Sequence, residues 1–107
     1  VFTFPVTGIY LIRFIGAHQS TGTINHSQTE IHTTTDNGTY NVASYGYASM
    51  TSGSQFSNSV TEFIFDVTNT STHKVKFLVY YEGSGVQMLG STNTNQTTAT
   101  FIRLGDT

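Results

Sequence analysis

Four histidines, six carboxylates and a large stock of hydroxyls are the side chains in this sequence with a capacity for chemistry. A zinc site needs His or Asp/Glu ligands brought together at ligand spacing. His18, His26, His32 and His73 have no such partner beside a carboxylate cluster, and three of the four fall in loops or polar strands. The acids Glu30, Asp36, Glu62, Asp66, Glu82 and Asp106 are scattered, which argues against an oxygen cage for calcium. No GxSxG nucleophile elbow occurs at a strand-to-helix turn, and Gly83-Ser84-Gly85 reads as a flexible turn. With no cysteine in the chain, disulfides, thiolate metal sites and cysteine nucleophiles are excluded. The expectation is no metal, no cofactor and no enzymatic activity.

Binding chemistry is a better match. Tyr45 and Tyr47, flanked by Ser44 and Gly46, form a pair suited to stacking against a carbohydrate, although tyrosines in such a pattern more often pack between sheets. Sequons at Asn25, Asn37, Asn69 and Asn95 would matter only on a eukaryotic secretory route. With 4 Lys and Arg in total and a net charge of -2, the chain has no basic patch for nucleic acid or for an anionic membrane. The longest apolar run, Ile9 to Ile15, is broken by Arg13 and is too short to span a bilayer.

The elements that must position these residues are strands. The 107 residues suit one domain, 1–107, and only 9% are charged against a usual level of about 25%. Aromatics at 13% together with many β-branched residues still predict a fold. Apolar residues alternate or cluster in short bursts between polar turns, which is strand patterning. Six strands are predicted: Gly8–Ala17, Thr29–Thr35, Tyr40–Tyr47, Val60–Val67, Lys74–Tyr81 and Ala99–Leu104. The turn signal Asp36-Asn37-Gly38 follows the second, and Ser/Thr/Asn/Gly-rich loops are expected at Gln19–Asn25, Thr51–Ser59 and Gly90–Thr98. Short, evenly spaced strands with such loops predict an all-β sandwich or jelly roll.

Three strands are greasy on both sides. Each has one uncharged face suited to the core: Tyr10, Ile12 and Phe14 in the first, Val75, Phe77 and Val79 in the fifth, Ile102 and Leu104 in the last. The opposite faces carry Ile9, Leu11, Arg13 and Ile15; Leu78 and Tyr80; Phe101 and Arg103. A strand facing water should be polar on its outer side. The second faces therefore need cover, and another subunit is the simplest cover; a loop or a further N-terminal strand is the alternative. A small domain without disulfides also gains by self-association.

Two resemblances sharpen this reading. Phe4-Pro5-Val6-Thr7-Gly8-Ile9-Tyr10-Leu11-Ile12-Arg13-Phe14 resembles the most recognisable stretch of the complement globular-head domains, which belong to the tumour-necrosis-factor-like jelly rolls. Phe4, Gly8, Tyr10 and Phe14 fit that motif, with Ile12 where an aromatic is usual. Lys74–Tyr81 and Ala99–Leu104 stand where the family has its last strands, whereas Gln19–Ser59 matches only loosely. The resemblance implies a homotrimer with these three strands in one inner sheet; in such a trimer Arg13 and Arg103 are expected to pair with Glu82 near the threefold axis. It also implies a domain lacking its first strands, as the C-terminal part of a longer chain. Second, Phe65 to Phe77 (FDVTNTSTHKVKF) with Phe101 to Asp106 looks like predicted structural proteins of marine bacteriophages, of the fibre, spike or capsid-decoration kind. The expected setting is a virion surface, with its own copies, other virion proteins and a host glycan or protein as partners. A secreted cellular ligand or pattern-recognition head is the alternative.

Overall fold

The computed structural model describes residues 1–21, 24–51 and 55–107. It is all-β, with two antiparallel sheets and no helix among the described residues. The strands are β1 (Phe2–Thr3), β2 (Gly8–Ser20), β3 (Ile24–Thr34), β4 (Asn41–Met50), β5 (Gln55–Val67), β6 (Lys74–Tyr81), β7 (Val86–Met88) and β8 (Thr98–Gly105). One sheet runs β1-β6-β3-β4; in the other, β2 lies between β5 on one side and β8 and β7 on the other. β8 pairs along Ile9–Ile15 and β7 along His18–Ser20, so the two share one long edge of β2.

Several strands run further than apolar alternation predicts. β2 continues to Ser20 and β5 begins at Gln55, so parts of the expected loops Gln19–Asn25 and Thr51–Ser59 are strand; residues 22–23 and 52–54 of those loops lie outside the described residues. The reason is a change of interior chemistry along the sandwich. Around Ile12 the core is apolar, made of Phe4, Tyr10, Ile12, Phe14, Ile31, Phe65, Val67 and Val75, with Phe63, Phe77, Val79 and Phe101 packed against it. Beyond Phe14 the inward positions turn polar: His18, Ser20, Ser27, Thr29, Ser59 and Thr61 are all buried. Four of these side chains form one run of hydrogen bonds, while Ser27 Oγ and His18 Nδ1 are buried without a partner. Thr29 Oγ1 lies 2.6 Å from Thr61 Oγ1 and 3.0 Å from Ser59 Oγ, and Ser59 Oγ lies 2.8 Å from His18 Nε2. Buried polar groups are tolerable when so paired, and β-branched Thr suits a strand.

The Asp36-Asn37-Gly38 turn forms after β3. Asp36 Oδ1 accepts hydrogen bonds from Thr34 Oγ1 and from the amides of Gly38 and Thr39, while Asn37 takes the left-handed conformation at φ 60°. The Thr34 hydroxyl and those amides hold the Asp36 carboxyl below its ordinary range. At the start of β2, Gly8 has φ 154°, and a Cβ there would sit 2.5 Å from Arg103 Nε. Only glycine leaves room for that arginine, which donates to Thr7 O at 3.0 and 3.1 Å and pairs with Asp106 at 2.5 Å.

The two-sided strands do not share a sheet. β2 and β8 do, but β6 pairs with β3 and β1 in the opposite sheet. Leu78 and Tyr80 thus point out of the far side of the molecule from Leu11, a correction to the single-interface expectation. The last strand is also turned over. Phe101 stands opposite Ile12 in register and packs inside, with ring centroids 5.6 Å from Phe2 and 5.9 Å from both Phe4 and Phe77. Ile102 and Leu104, expected in the core, face outward instead. The uncharged face was the wrong criterion. Arg103, which shares a side with Phe101, lies at the rim, where its long side chain brings the guanidinium out to Thr7 O and Asp106. Tyr10, Ile12, Phe14 and Val75 are buried and Phe77 and Val79 half-buried.

Candidate functional site

Two outer sheet faces carry the unexplained chemistry, and they differ. On the β5-β2-β8 sheet, the register places Ile64, Leu11 and Ile102 in one row across three strands. Ile64 is 60% exposed and Ile102 49%. Val60 stands beside Ile15 in the same face, with Leu104 and Ile9 towards the other end. Within this apolar field, Arg13 pairs with Glu62 at 2.8 Å, where both remain nearly half exposed. Such a surface pair is worth little by itself, but it leaves no lone charge to bury if the face is covered.

Ile9, Leu11, Arg13 and Ile15, expected at an interface, therefore share one face. Phe101 and Arg103 do not join them, and Leu78 and Tyr80 lie on the other sheet. Neither arginine meets Glu82: Arg13 pairs with Glu62, Arg103 with Asp106, and Glu82 with His26. Pattern reading missed Phe56, Val60 and Ile64 of β5. The signal was present, since Val60, Glu62, Ile64 and Asp66 alternate with the inward Thr61, Phe63, Phe65 and Val67.

The outer face of β6-β3-β4 is polar and aromatic. Its register is a three-by-three grid: Tyr80, Gln28 and Tyr47 in one row; Leu78, Glu30 and Tyr45 in the next; Lys76, His32 and Val42 in the third. Tyr45 and Tyr47 are 50% and 60% exposed, with rings nearly parallel at 15° and centroids 6.0 Å apart. This overturns the expectation that they pack between the sheets. Gly46 is the cause: it takes the inward position between them, where a Cβ would lie 2.5 Å from Val60 O, so both tyrosines alternate outward. His26 links the far ends of the first row, its ring 6.1 Å from Tyr47 and 6.0 Å from Tyr80. His26 also lies 3.5 Å from Glu82, and its amide donates to the same carboxylate. Down the central strand Gln28 donates to Glu30 at 2.5 Å, and His32 forms a close pair with the other Glu30 oxygen. Beside this ladder lies a depression of about 350 Å³ lined by His26, Tyr47, Ala48 and Ser49.

The remaining histidines are interior. His73 stacks on Phe65 and contacts Thr68 and Thr72. His18 stands 2.8 Å from Ser59, but it is 0% exposed, so this serine–histidine pair meets no substrate in this conformation. Among the described residues, no three of His, Asp or Glu gather into a group able to hold a metal ion. The sequons at Asn37, Asn69 and Asn95 are exposed, and the side chain of Asn25 lies outside the described residues.

Burial lowers the pKa of His18 below its ordinary value of about 6.5. Edge-on to it at 6.0 Å is Tyr81, whose phenol burial pushes up. Below pH ~6.5 the unfolded chain therefore binds a proton at His18 that the fold refuses. Stability is expected to be flat above that pH and to fall as pH drops towards the folded pKa, by at most about 1.4 kcal/mol per pH unit from this one group. Urea titrations at a series of pH values on the wild type and His18→Gln check this. The part of the slope due to His18 should vanish in the variant.

Compared with known proteins, the chain matches no protein family, no curated protein and no solved structure.

Proposed function

We propose that this domain is a non-enzymatic surface module that assembles with copies of itself, as a homotrimeric jelly-roll head on a virion: a fibre tip, a receptor-binding head or a capsid decoration. The observation that carries the reading is the row Ile64, Leu11 and Ile102, extended by Val60, Ile15 and Leu104 on one outer sheet face. A contiguous apolar field rimmed by polar groups, here Asp66, Thr98 and Thr100, marks an interaction surface. Its occupant is taken to be a second copy because the apolar row itself offers no free charge to select another partner: Arg13 and Glu62 pair within it, and Asp66 stands at its edge beside Ile9.

The winding supports the jelly-roll form. The ribbon made by β2 paired with β5 continues, through crossings at β2–β3 and β4–β5, into the β3–β4 pair in the other sheet. Folding such a ribbon over its own tip is how a jelly roll is built. In a trimer held by the apolar face, the β6-β3-β4 face points away from the contact, and three copies of any site on it would gain avidity.

Sedimentation velocity tests the reading. The wild-type chain is expected to run as a particle of three chains, and Ile64→Glu, which places an unpaired charge in the covered row, to run as a folded monomer. A wild type that stays monomeric at high micromolar concentration overturns it.

A further inference from the structure

We propose that the outer face of the β6-β3-β4 sheet is a carbohydrate-binding site for an uncharged pyranose unit, stacked on Tyr47 and Tyr80 and hydrogen-bonded by Gln28 and Glu30. The inference deepens the adhesive role proposed above and rests on that reading for its biological setting, though not for its geometry. Three tyrosines of the grid leave half or more of their surface in water: the neighbours Tyr45 and Tyr47 as given above, and Tyr80, across Gln28 from Tyr47, at 52%. Tyrosine there presents an electron-rich ring whose hydroxyl tolerates solvent. The axial C–H groups of a pyranose pack on such rings without needing a charged or apolar partner.

The polar groups have the matching chemistry. Gln28 sits in register between Tyr47 and Tyr80, and Glu30 lies one grid row below beside Tyr45. A planar amide and a planar carboxylate, held to each other by the Gln28–Glu30 bond, offer the donors and acceptors that vicinal hydroxyls need. That bond and the His32 contact also fix their rotamers before any ligand arrives. The adjoining depression of about 350 Å³ is at the small end of ligand sites, the scale of a sugar unit rather than a long chain.

Charge decides between sugars. Beside the tyrosines the face carries Glu30 and Glu82, while its lysines, Lys74 and Lys76, lie further along β6, with Lys76 drawn over the Tyr40 ring at 4.5 Å from the centroid. An anionic saccharide would meet carboxylates, whereas an uncharged one uses them as acceptors.

The experiment screens the wild-type protein on a printed panel of neutral and sialylated oligosaccharides, then titrates the strongest neutral glycan by calorimetry into wild type, Tyr47→Ala, Tyr80→Ala and Glu30→Gln. Neutral glycans are expected to bind, and each tyrosine variant to weaken binding by about tenfold or more. Glycan-dependent shifts of the tyrosine ring signals in NMR spectra should be confined to Tyr45, Tyr47 and Tyr80. Sedimentation of each variant is expected to match wild type, which separates this site from the assembly face. No binding of neutral glycans at millimolar concentration, preference for sialylated ones, or affinity unchanged in Tyr47→Ala would overturn the site. Retention on host surfaces stripped of glycan, but not on surfaces treated with protease, would also overturn it in favour of a protein partner.

Discussion

Gly46→Ala is expected to destabilise the domain by roughly 3 kcal/mol and to disturb the tyrosine face at the same time. The new methyl would lie 2.5 Å from Val60 O and 2.9 Å from Val60 C, with Thr61 Oγ1 nearer still. Backbone on one side and a hydroxyl tied to Thr29 on the other leave nothing flexible to yield. β4 must then move off β5, carrying Tyr45 and Tyr47 with it. Urea denaturation measures the first effect, and calorimetric titration of the neutral glycan the second. Gly38→Ala is the control: its Cβ would meet Asp36 Oδ1 at 3.5 Å, an ordinary contact, and the change in stability should stay within about 0.5 kcal/mol.

Ile12→Ala is expected to cost about 2–5 kcal/mol. Ile12 is fully buried at the centre of β2, between Phe63 of β5 and Phe101 of β8, and faces the aromatic core. Truncation leaves a cavity that rings cannot easily collapse into. The dependence on protein concentration distinguishes this loss from one on the outer face. Ile12→Ala should lower stability equally at every concentration, whereas Ile64→Ala should lower it through assembly, so that its effect varies with concentration. Thermal melts across a wide concentration range check both.

Much of the architecture could be read from residue order. Alternation located β2, β6 and β8 to within a few residues, because Tyr10-x-Ile12-x-Phe14 and Val75-x-Phe77-x-Val79 are apolar on their inward side. It could not tell which strands pair. Nothing in Lys74–Tyr81 says that its neighbour is β3 rather than β2, since pairing is set by long-range contacts across the whole sandwich. Nor could it read strands whose interior is made of hydroxyls: Ser57 and Ser59 look like a loop until His18 and Thr29 are seen opposite them. For β8 the rule that charge faces water misled, because Arg103 lies at an end where its guanidinium can leave the interior. The tyrosine pair was visible as a motif. Its outward direction depended on what Gly46 touches, and that contact with β5 is not local.

The interior that shifts from phenyl rings at one end to hydroxyls and an imidazole at the other also bears on temperature. Apolar surface uncovered on unfolding raises the heat-capacity increment, and polar surface lowers it. With His18, Ser20, Ser27, Thr29, Ser59 and Thr61 enclosed alongside the aromatics, the two contributions oppose each other. The curve of unfolding free energy against temperature is therefore flatter than the same length of uniformly oily sandwich would give, and what resistance the domain has to heat and to cold is spread over a broad range.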